Sequence, residues 1–308
     1  MISINEHSDI MCDFIKFIHE RHDIYINKEI LKQPAPWTCD TILSTGKFGN
    51  IWRQLDRGTK FELDNIKLRD IRYDNETTRR VLRSQLMFIL VYRHNLIPVV
   101  TKALLDSWKY NDSMYNILYR LDLKYYISDV IKIYPLYGDN IHSIVNDILY
   151  VVDHMQDVVM HIDMLVDYFM SGCKVNPYEA FLLIQHLFPR LGEFKAYEVV
   201  TSISYLRQNF WSEDDFCYVG HGAVDAIHLL INDNNIDDKF LPLYLPQLRD
   251  IVNSKINTIL LTSQYNFTVR TVEDCACEFR KYLQVKEGIR PNRPYPDNLG
   301  RWTDADNK

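Results

Sequence analysis

Charged, amide and aromatic residues crowd three stretches near the start of this 308-residue chain. The first runs Phe14-Ile-Lys-Phe17-Ile-His-Glu20-Arg21-His22-Asp-Ile-Tyr25. The second is Pro36-Trp37-Thr38-Cys-Asp40, and the third is Asn50-Ile-Trp-Arg53-Gln-Leu-Asp56-Arg57. An amphipathic helix needs only a generic polar face. Here the polar residues are bidentate or titratable types, placed where an apolar stripe should be nearly continuous. Arginines hold phosphate oxygens in pairs, carboxylates act as bases, and histidine exchanges a proton near neutral pH. Together they suggest a site for an anionic, planar substrate.

A second constellation is Phe216-Cys-Tyr-Val219-Gly220-His221-Gly222-Ala223, followed by an apolar helical run to Leu230. Its G-x-G has the form of a helix-hairpin-helix turn near 212–232. Glycines permit backbone conformations that other residues resist, and amides at a helix start can face a phosphate. Such a hairpin grips a DNA backbone without reading sequence. Gly220, His221 and Gly222 are therefore candidate DNA contacts, although G-x-G also simply terminates helices. Hairpin glycosylases place an Asp after the turn, and lyase versions add a Lys. No Lys follows Gly222 until Lys239, while Asp233, Asp237 and Asp238 sit in a polar loop. That spacing argues against a lyase.

The third constellation is Thr271-Val-Glu273-Asp-Cys-Ala-Cys277-Glu278-Phe-Arg-Lys281-Tyr282. Glu273, Cys277 and Lys281 share one helix face, and so do Glu278, Lys281 and Tyr282. If buried, such a face must pair its charges. If exposed, it is an ordinary salt-bridge ladder.

The elements that would position these residues are helices. Apolar residues recur at helical spacing almost throughout, and no strand alternation stands out. A first helix carries Ile10, Phe14, Phe17, Ile18 and Tyr25, with Pro34 and Pro36 beyond it. Thr38 or Asp40 caps a second that runs through Leu43, Ile51 and Leu55, with Gly46 and Gly49 marking a turn inside it. Others cover 76–94, several segments of 110–171, and Pro177 to about Gly192; a further stretch runs through Phe194 to Tyr205. The expected fold is all-α, with one domain over 1–287 and an extended tail over 288–308. His154 and His161 share a face, but no third ligand accompanies them, so both read as ordinary core or surface histidines.

Composition narrows the classes. With 47% apolar residues the chain can build a sizeable core. A net charge of −6 provides no global field for nucleic acid. DNA contact must come from local clusters: Arg69, Arg72, Arg79, Arg80 and Arg83, or Arg280, Lys281, Lys286, Arg290, Arg293 and Arg301. The six cysteines form no CxxC pair, so no metal site is expected. No apolar run is long enough for a membrane span, and no signal-peptide pattern opens the chain. The expected compartment is reducing and cytoplasmic.

The runs Phe17-Ile-His-Glu20-Arg21-His22-x-Ile-Tyr25, Pro36-Trp37-Thr38-x-Asp40 and Phe48-x-Asn50-x-x-Arg53-x-Leu55-Asp56-Arg57-x-Thr59 resemble the opening of a family of helical phage DNA-modification proteins. This is the 5-hydroxymethyluracil DNA kinase helical domain, also described as amino acid:DNA transferase or α-glutamyl/putrescinyl-thymine pyrophosphorylase. Val272-Glu273-x-x-x-Cys277-Glu278-Phe279-x-Lys281-Tyr282, Glu287-Gly288 and Arg290-Pro-x-Arg293-x-Tyr295 resemble its C-terminal signature. Gly192-x-Phe194-x-Ala196-Tyr197 and Gly220-x-Gly222-Ala223 match between them. Two positions depart from the pattern: Ser202 replaces an Asp, and Asp274 replaces a His.

The resemblance implies a multi-helix DNA-glycosylase-like fold with a helix-hairpin-helix element, and thymine hypermodification in double-stranded DNA. A kinase first phosphorylates or pyrophosphorylates 5-hydroxymethyluracil, and an amino acid or polyamine then displaces that group. No P-loop occurs here, so the chain itself is not expected to be the kinase but its functional companion. In this reading Trp37 stacks on the base and Asn50 reads its edge. Arg21, Arg53 and Arg57 neutralise the leaving group. Glu20 or Asp56 deprotonates the amine, and His22 acts as acid or base. Glu273, Glu278 and Lys281 complete the catalytic set, Tyr25 and Tyr282 the substrate set, and Arg290 and Arg293 join the DNA contacts. No cofactor is evident, and Mg²⁺ enters only through the substrate pyrophosphate. The alternatives are a glycosylase-like enzyme that removes a modified base, or a non-catalytic DNA-binding module assisting the kinase.

Overall fold

The computed structural model describes residues 4–56, 59–60, 78–79, 82, 86, 155–171, 175–189, 191–206, 211–256, 259 and 265–292. Among these the chain is all-α: helices and irregular segments, with no strand. The described helices are α1 (Asp9–Tyr25), α2 (Thr41–Thr45), α3 (Met155–Met170), α4 (Pro177–Leu187), α5 (Glu193–Leu206), α6 (His221–Ile231), α7 (Leu245–Lys255) and α8 (Val269–Lys286). Two compact units emerge: Met1–Asp56 with Glu213–Asp297, and Arg57–Ser212 with Asn298–Lys308. None of the helices of the described residues is long and apolar enough to cross a membrane.

In the first unit α8 is the central element. Its start is heavily capped. Thr268 and Thr271 form a reciprocal capping box, and Asp214 accepts the Val269 amide at 2.8 Å. Carboxylate and hydroxyl acceptors satisfy amides that a helix start leaves without partners, and they complement its dipole. Val272, Cys275, Ala276, Phe279 and Leu283 then form a buried stripe. α1, α2, α6 and α7 all pack against α8. The α1 contact is aromatic: Phe279 lies 5.2 Å from Phe14 and 5.3 Å from Phe17, ring centre to ring centre.

The helix opened at Asp40 is much shorter than its apolar pattern suggests. Asp40 caps it as expected, accepting from the Ile42 and Leu43 amides at 2.9 Å. It ends at Thr45, and residues 46–52 run irregularly into a 3₁₀ turn at Arg53–Leu55. Gly46 is required there: a Cβ on it would meet the Ile42 carbonyl oxygen at 2.7 Å, besides Asn292 Oδ1 at 2.2 Å. Asn292 donates to the Ile42 carbonyl at 2.9 Å and to Thr45 Oγ1 at 2.8 Å. The first part of the expected tail is thereby docked on α2.

The second unit is built from α3, α4 and α5 among its described helices. Ile162, Leu165, Val166, Phe181, Ile184, Phe188, Val200 and Ile203 are buried within it. His161 meets Phe188 edge to face at 5.4 Å. His154 and the arginines at 69, 72, 80 and 83 lie outside the described residues.

Candidate active site

The N-terminal and C-terminal motifs meet around one guanidinium. Arg21, on the inner face of α1, is 3% exposed. Its Nε donates to the Gly49 carbonyl at 2.9 Å, and its Nη2 to the Gly49 and Asn50 carbonyls, each at 2.6 Å. Nη1 points to Cys275 Sγ on α8, 3.5 Å away. The planar fork thus holds the 46–56 loop against both helices, a task that a single ammonium does poorly. Asn50 tightens the same loop: its backbone amide and Nδ2 donate to Asp56 Oδ1 at 2.9 and 3.0 Å, and Nδ2 also reaches the Leu55 carbonyl at 3.1 Å. Asn50 is therefore engaged with its own loop.

Charge gathers on the outer side of this clamp. Glu278 accepts from the Gly49 amide at 3.4 Å and pairs with Lys281 one turn on. Burial opposes the Glu278 charge, but the Lys281 and Arg21 cations outweigh it and hold the carboxyl below its ordinary range. Arg53 Nη1 lies 3.8 Å from Asp56 Oδ2, and their side chains are 37% and 23% exposed. Lys281 is 34% exposed. Arg53, Asp56 and Lys281 therefore retain solvent-facing surface, while Arg21 does not. Arg57 lies outside the described residues.

A second thread joins the same elements. Tyr282 donates to Asp40 Oδ2 at 2.8 Å. The Asp40 amide donates to Thr38 Oγ1, and Thr38 donates to Glu20 on α1. Burial, and then the Asp40 carboxylate, push the Tyr282 hydroxyl well above its ordinary value, so it stays a neutral donor. Asp40 is thus both helix cap and tyrosine acceptor. Its capping signal is plain in the sequence, but its reach to Tyr282 crosses the fold.

His22 follows Arg21 into a different environment. It is buried, 5.5 Å edge to face from Trp52 and 6.3 Å in a stacked relation to Tyr25. Desolvation lowers its pKa against the opposing pull of Asp23, which favours the neutral ring. Trp37 packs elsewhere: its Nε1 donates to the Gln33 carbonyl at 2.8 Å, and Lys28 sits over its ring at 5.2 Å.

The G-x-G segment opens α6, but residues 216–220 leading into it are irregular rather than helical. Buried Gly220 gives its amide to Glu273 Oε1 at 3.0 Å. Gly222 permits close packing, since a Cβ there would lie 2.6 Å from Cys277 Sγ. His221 is exposed. Glu273 itself is 1% exposed and pairs with Arg270 at 3.0 Å, and Arg270 also faces Asp274 at 3.3 Å. Arg270 escaped the sequence reading, although its i, i+3, i+4 spacing to two acids was visible. Asp274 belongs to this buried ionic group. Ser202 is buried in the second unit.

The free thiols Cys275 and Cys277 are chemically quiet. Burial pushes Cys275 to about 12 and Cys277 to about 11, with Arg21 and Lys281 respectively pulling the other way. Among the described residues no group of three His, Cys, Asp or Glu side chains could hold a metal. Arg290 lies at the end of the described chain, its amide bonded to the Gln284 carbonyl at 3.1 Å; Arg293 is beyond it.

A family model described as "5-hmdU DNA kinase, helical domain" matches residues 8–289. A protein of Bacillus phage SP10 named 5-hmdU DNA kinase is 21% identical over 294 residues, covering 88% of this chain and 44% of that protein. The chain therefore spans less than half the length of this curated relative. No solved structure matches it.

Proposed function

The chain belongs to the family of 5-hmdU DNA kinase helical domains, and on that premise we propose that it serves the modification of 5-hydroxymethyluracil in DNA. Specifically, it replaces a phosphate or pyrophosphate on the 5-methylene of the base with an amino acid or polyamine. The C–O bond to the phosphoryl oxygen breaks, a C–N bond forms, and the amine loses a proton. The supporting observation is the convergence of the terminal motifs on one site, where Arg21 holds the 46–56 loop against α8.

Within that site Arg53 and Lys281 suit the leaving anion, because both are partly exposed cations on the outer side of the clamp. Asp56, beside Arg53 and steered by Asn50, suits the amine proton. Stabilising charge on the leaving group supplies the main catalytic effect. Arg21 and Glu278 act as positioning residues. Glu273 supports the α6–α8 packing and takes no part in the chemistry. Any Mg²⁺ arrives held by the substrate's phosphates.

The test is direct. The protein is incubated with duplex DNA carrying 5-(pyrophosphoryloxymethyl)uracil and a pool of amino acids and polyamines, and the digested nucleosides are weighed. A nucleoside that has lost pyrophosphate and gained an amine supports transfer. An abasic product replaces this reading with base excision, and unchanged but bound DNA replaces it with an accessory binding role.

A further inference from the structure

Gly49 is held from both ends of its backbone. Its carbonyl accepts from Arg21, and its amide donates to Glu278 at 3.4 Å. No described contact calls for a glycine there. Its backbone lies outside the left-handed region, unlike that of Gly192 and Gly288. A Cβ on it would meet no described atom closer than 3.5 Å, whereas one on Gly46 or Gly222 would collide. The missing side chain therefore leaves a single-atom notch that the packing does not use. Gly49 and Asp56 are both half-buried, so each keeps exposed surface beside that notch.

The walls of the notch are charged. From the absent Cβ position, Asp56 Oδ2 lies at 3.5 Å, Oδ1 at 3.7 Å and Arg21 Nη2 at 3.8 Å. The two Asp56 oxygens differ. Oδ1 accepts from both the amide and the side chain of Asn50. Oδ2 has Arg53 Nη1 at 3.8 Å, beyond hydrogen-bond reach, and no donor among the described residues. An ionised carboxyl only accepts, and it serves as a base toward a proton within reach. Arg21 adds a second bias, since a nearby cation disfavours a protonated amine. Carboxylate and guanidinium together suit a nitrogen that must give up a proton.

We propose that the notch over Gly49 seats the amine co-substrate, its nitrogen standing where a Cβ would be, and that Gly49 and Asp56 restrict that co-substrate to primary amines. The proposal rests on amine transfer, as argued above, and adds Gly49 as a specificity-determining residue. The nitrogen lone pair forms the C–N bond, the C–O pair leaves with the phosphoryl oxygen, and the amine proton passes to Asp56 Oδ2. A nitrogen bearing one carbon can turn that carbon to the open side. A secondary amine would press its second carbon against Asp56 or Arg21.

The experiment uses the full chain with a duplex carrying unphosphorylated 5-hydroxymethyluracil, which has no leaving group to displace. Saturation-transfer NMR reads the binding of glycine and 1,4-diaminobutane, each beside the form with one methyl on every nitrogen. The wild-type protein binds at least one parent amine, and its methylated form at least about tenfold more weakly. Gly49→Ala, whose methyl makes only ordinary contacts, melts with the wild type and binds the parent at least about tenfold more weakly. Asp56→Asn, close in shape, also weakens binding and decides the matter if Gly49→Ala fails to fold. Equal binding by the wild type and folded Gly49→Ala, or Asp56→Asn in that case, overturns the seat. So does the absence of binding to the wild type. Equal binding of parent and methylated amines overturns the restriction to primary amines. The pyrophosphorylated duplex then separates seat from chemistry. An amine bound at Gly49 but never transferred sinks the chemistry and leaves the seat; transfer that Gly49→Ala does not slow sinks the seat and leaves the chemistry.

Discussion

Arg21 Nη2 donates to the Gly49 carbonyl at 2.6 Å, bridging helix α1 and the loop across 28 positions of sequence. The same guanidinium reaches Asn50 and Cys275, so one side chain ties three segments together. Arg21→Lys keeps the charge but cannot span these acceptors. It should cost roughly 3 kcal/mol in urea unfolding, the worth of one or two bonds from a charged donor. If transfer occurs at this loop, its rate should fall as well, with little change when Lys28 is replaced instead.

Gly222→Ala should destabilise the protein by about 1–3 kcal/mol, the usual cost of overpacking. Its Cβ would stand 2.6 Å from Cys277 Sγ on the facing helix. The partner change Cys277→Ala opens that space. A double-mutant cycle should therefore show Gly222→Ala to be nearly neutral in the Cys277→Ala background. A persistent cost there would mean that the glycine serves the backbone rather than the packing.

Arg270→Met should cost about 3–5 kcal/mol, because it leaves Glu273 and Asp274 as buried acids without their shared cation. Equilibrium unfolding measures this. Replacing Arg249, which lies partly in solvent beside Asp250 and Asp214, should cost no more than about 1 kcal/mol.

Two histidines should bend the pH dependence of stability in opposite directions. Burial works against protonation of His228, yet its bond to Asp238 and its neighbours raise its pKa. That stabilisation is complete below the unfolded value of about 6.5 and is lost as pH rises through the raised folded value. His22 has a lowered pKa. Its contribution is complete above about 6.5 and is lost as pH falls through the lowered folded value. Thermal midpoints of Asp238→Asn should lose the first slope, and those of His22→Phe the second.

Alkylation of the native protein should label Cys12 and Cys39 and spare Cys217, Cys275 and Cys277. The first two are exposed, whereas Cys217 and Cys275 are buried and Cys277 faces Gly222. The thiolate is the reacting species, and burial holds Cys275 near 12 and Cys277 near 11. Peptide mass mapping reads the result. Rapid labelling of Cys277 would show that α6 and α8 separate readily.

The sequence was most legible where local rules govern. Helical periodicity predicted an all-α chain, and the Asp40 cap and the helix through Glu273 and Tyr282 stand where their patterns place them. The family resemblance was also carried by contiguous motifs, and the match over 8–289 agrees with it. The end of α2 was less legible. The apolar run continues to Leu55, but Gly46 accepts the close approach of Asn292, whose position depends on the far end of the chain.

By itself, then, the sequence determined the helical class, the main caps and the residue types of the site, because period, capping and motif are properties of neighbours in the chain. The tertiary structure alone decided which of those residues serve packing and which keep exposed charge. Arg21 and Glu273 lie inside, while Arg53 and Lys281 remain partly in solvent. The division into units at Asp56 and Glu213 also has no mark in composition. Burial and pairing depend on partners as distant as Gly49 and Glu278, separated by 229 positions. No local pattern encodes those distances; they follow from how the helices pack.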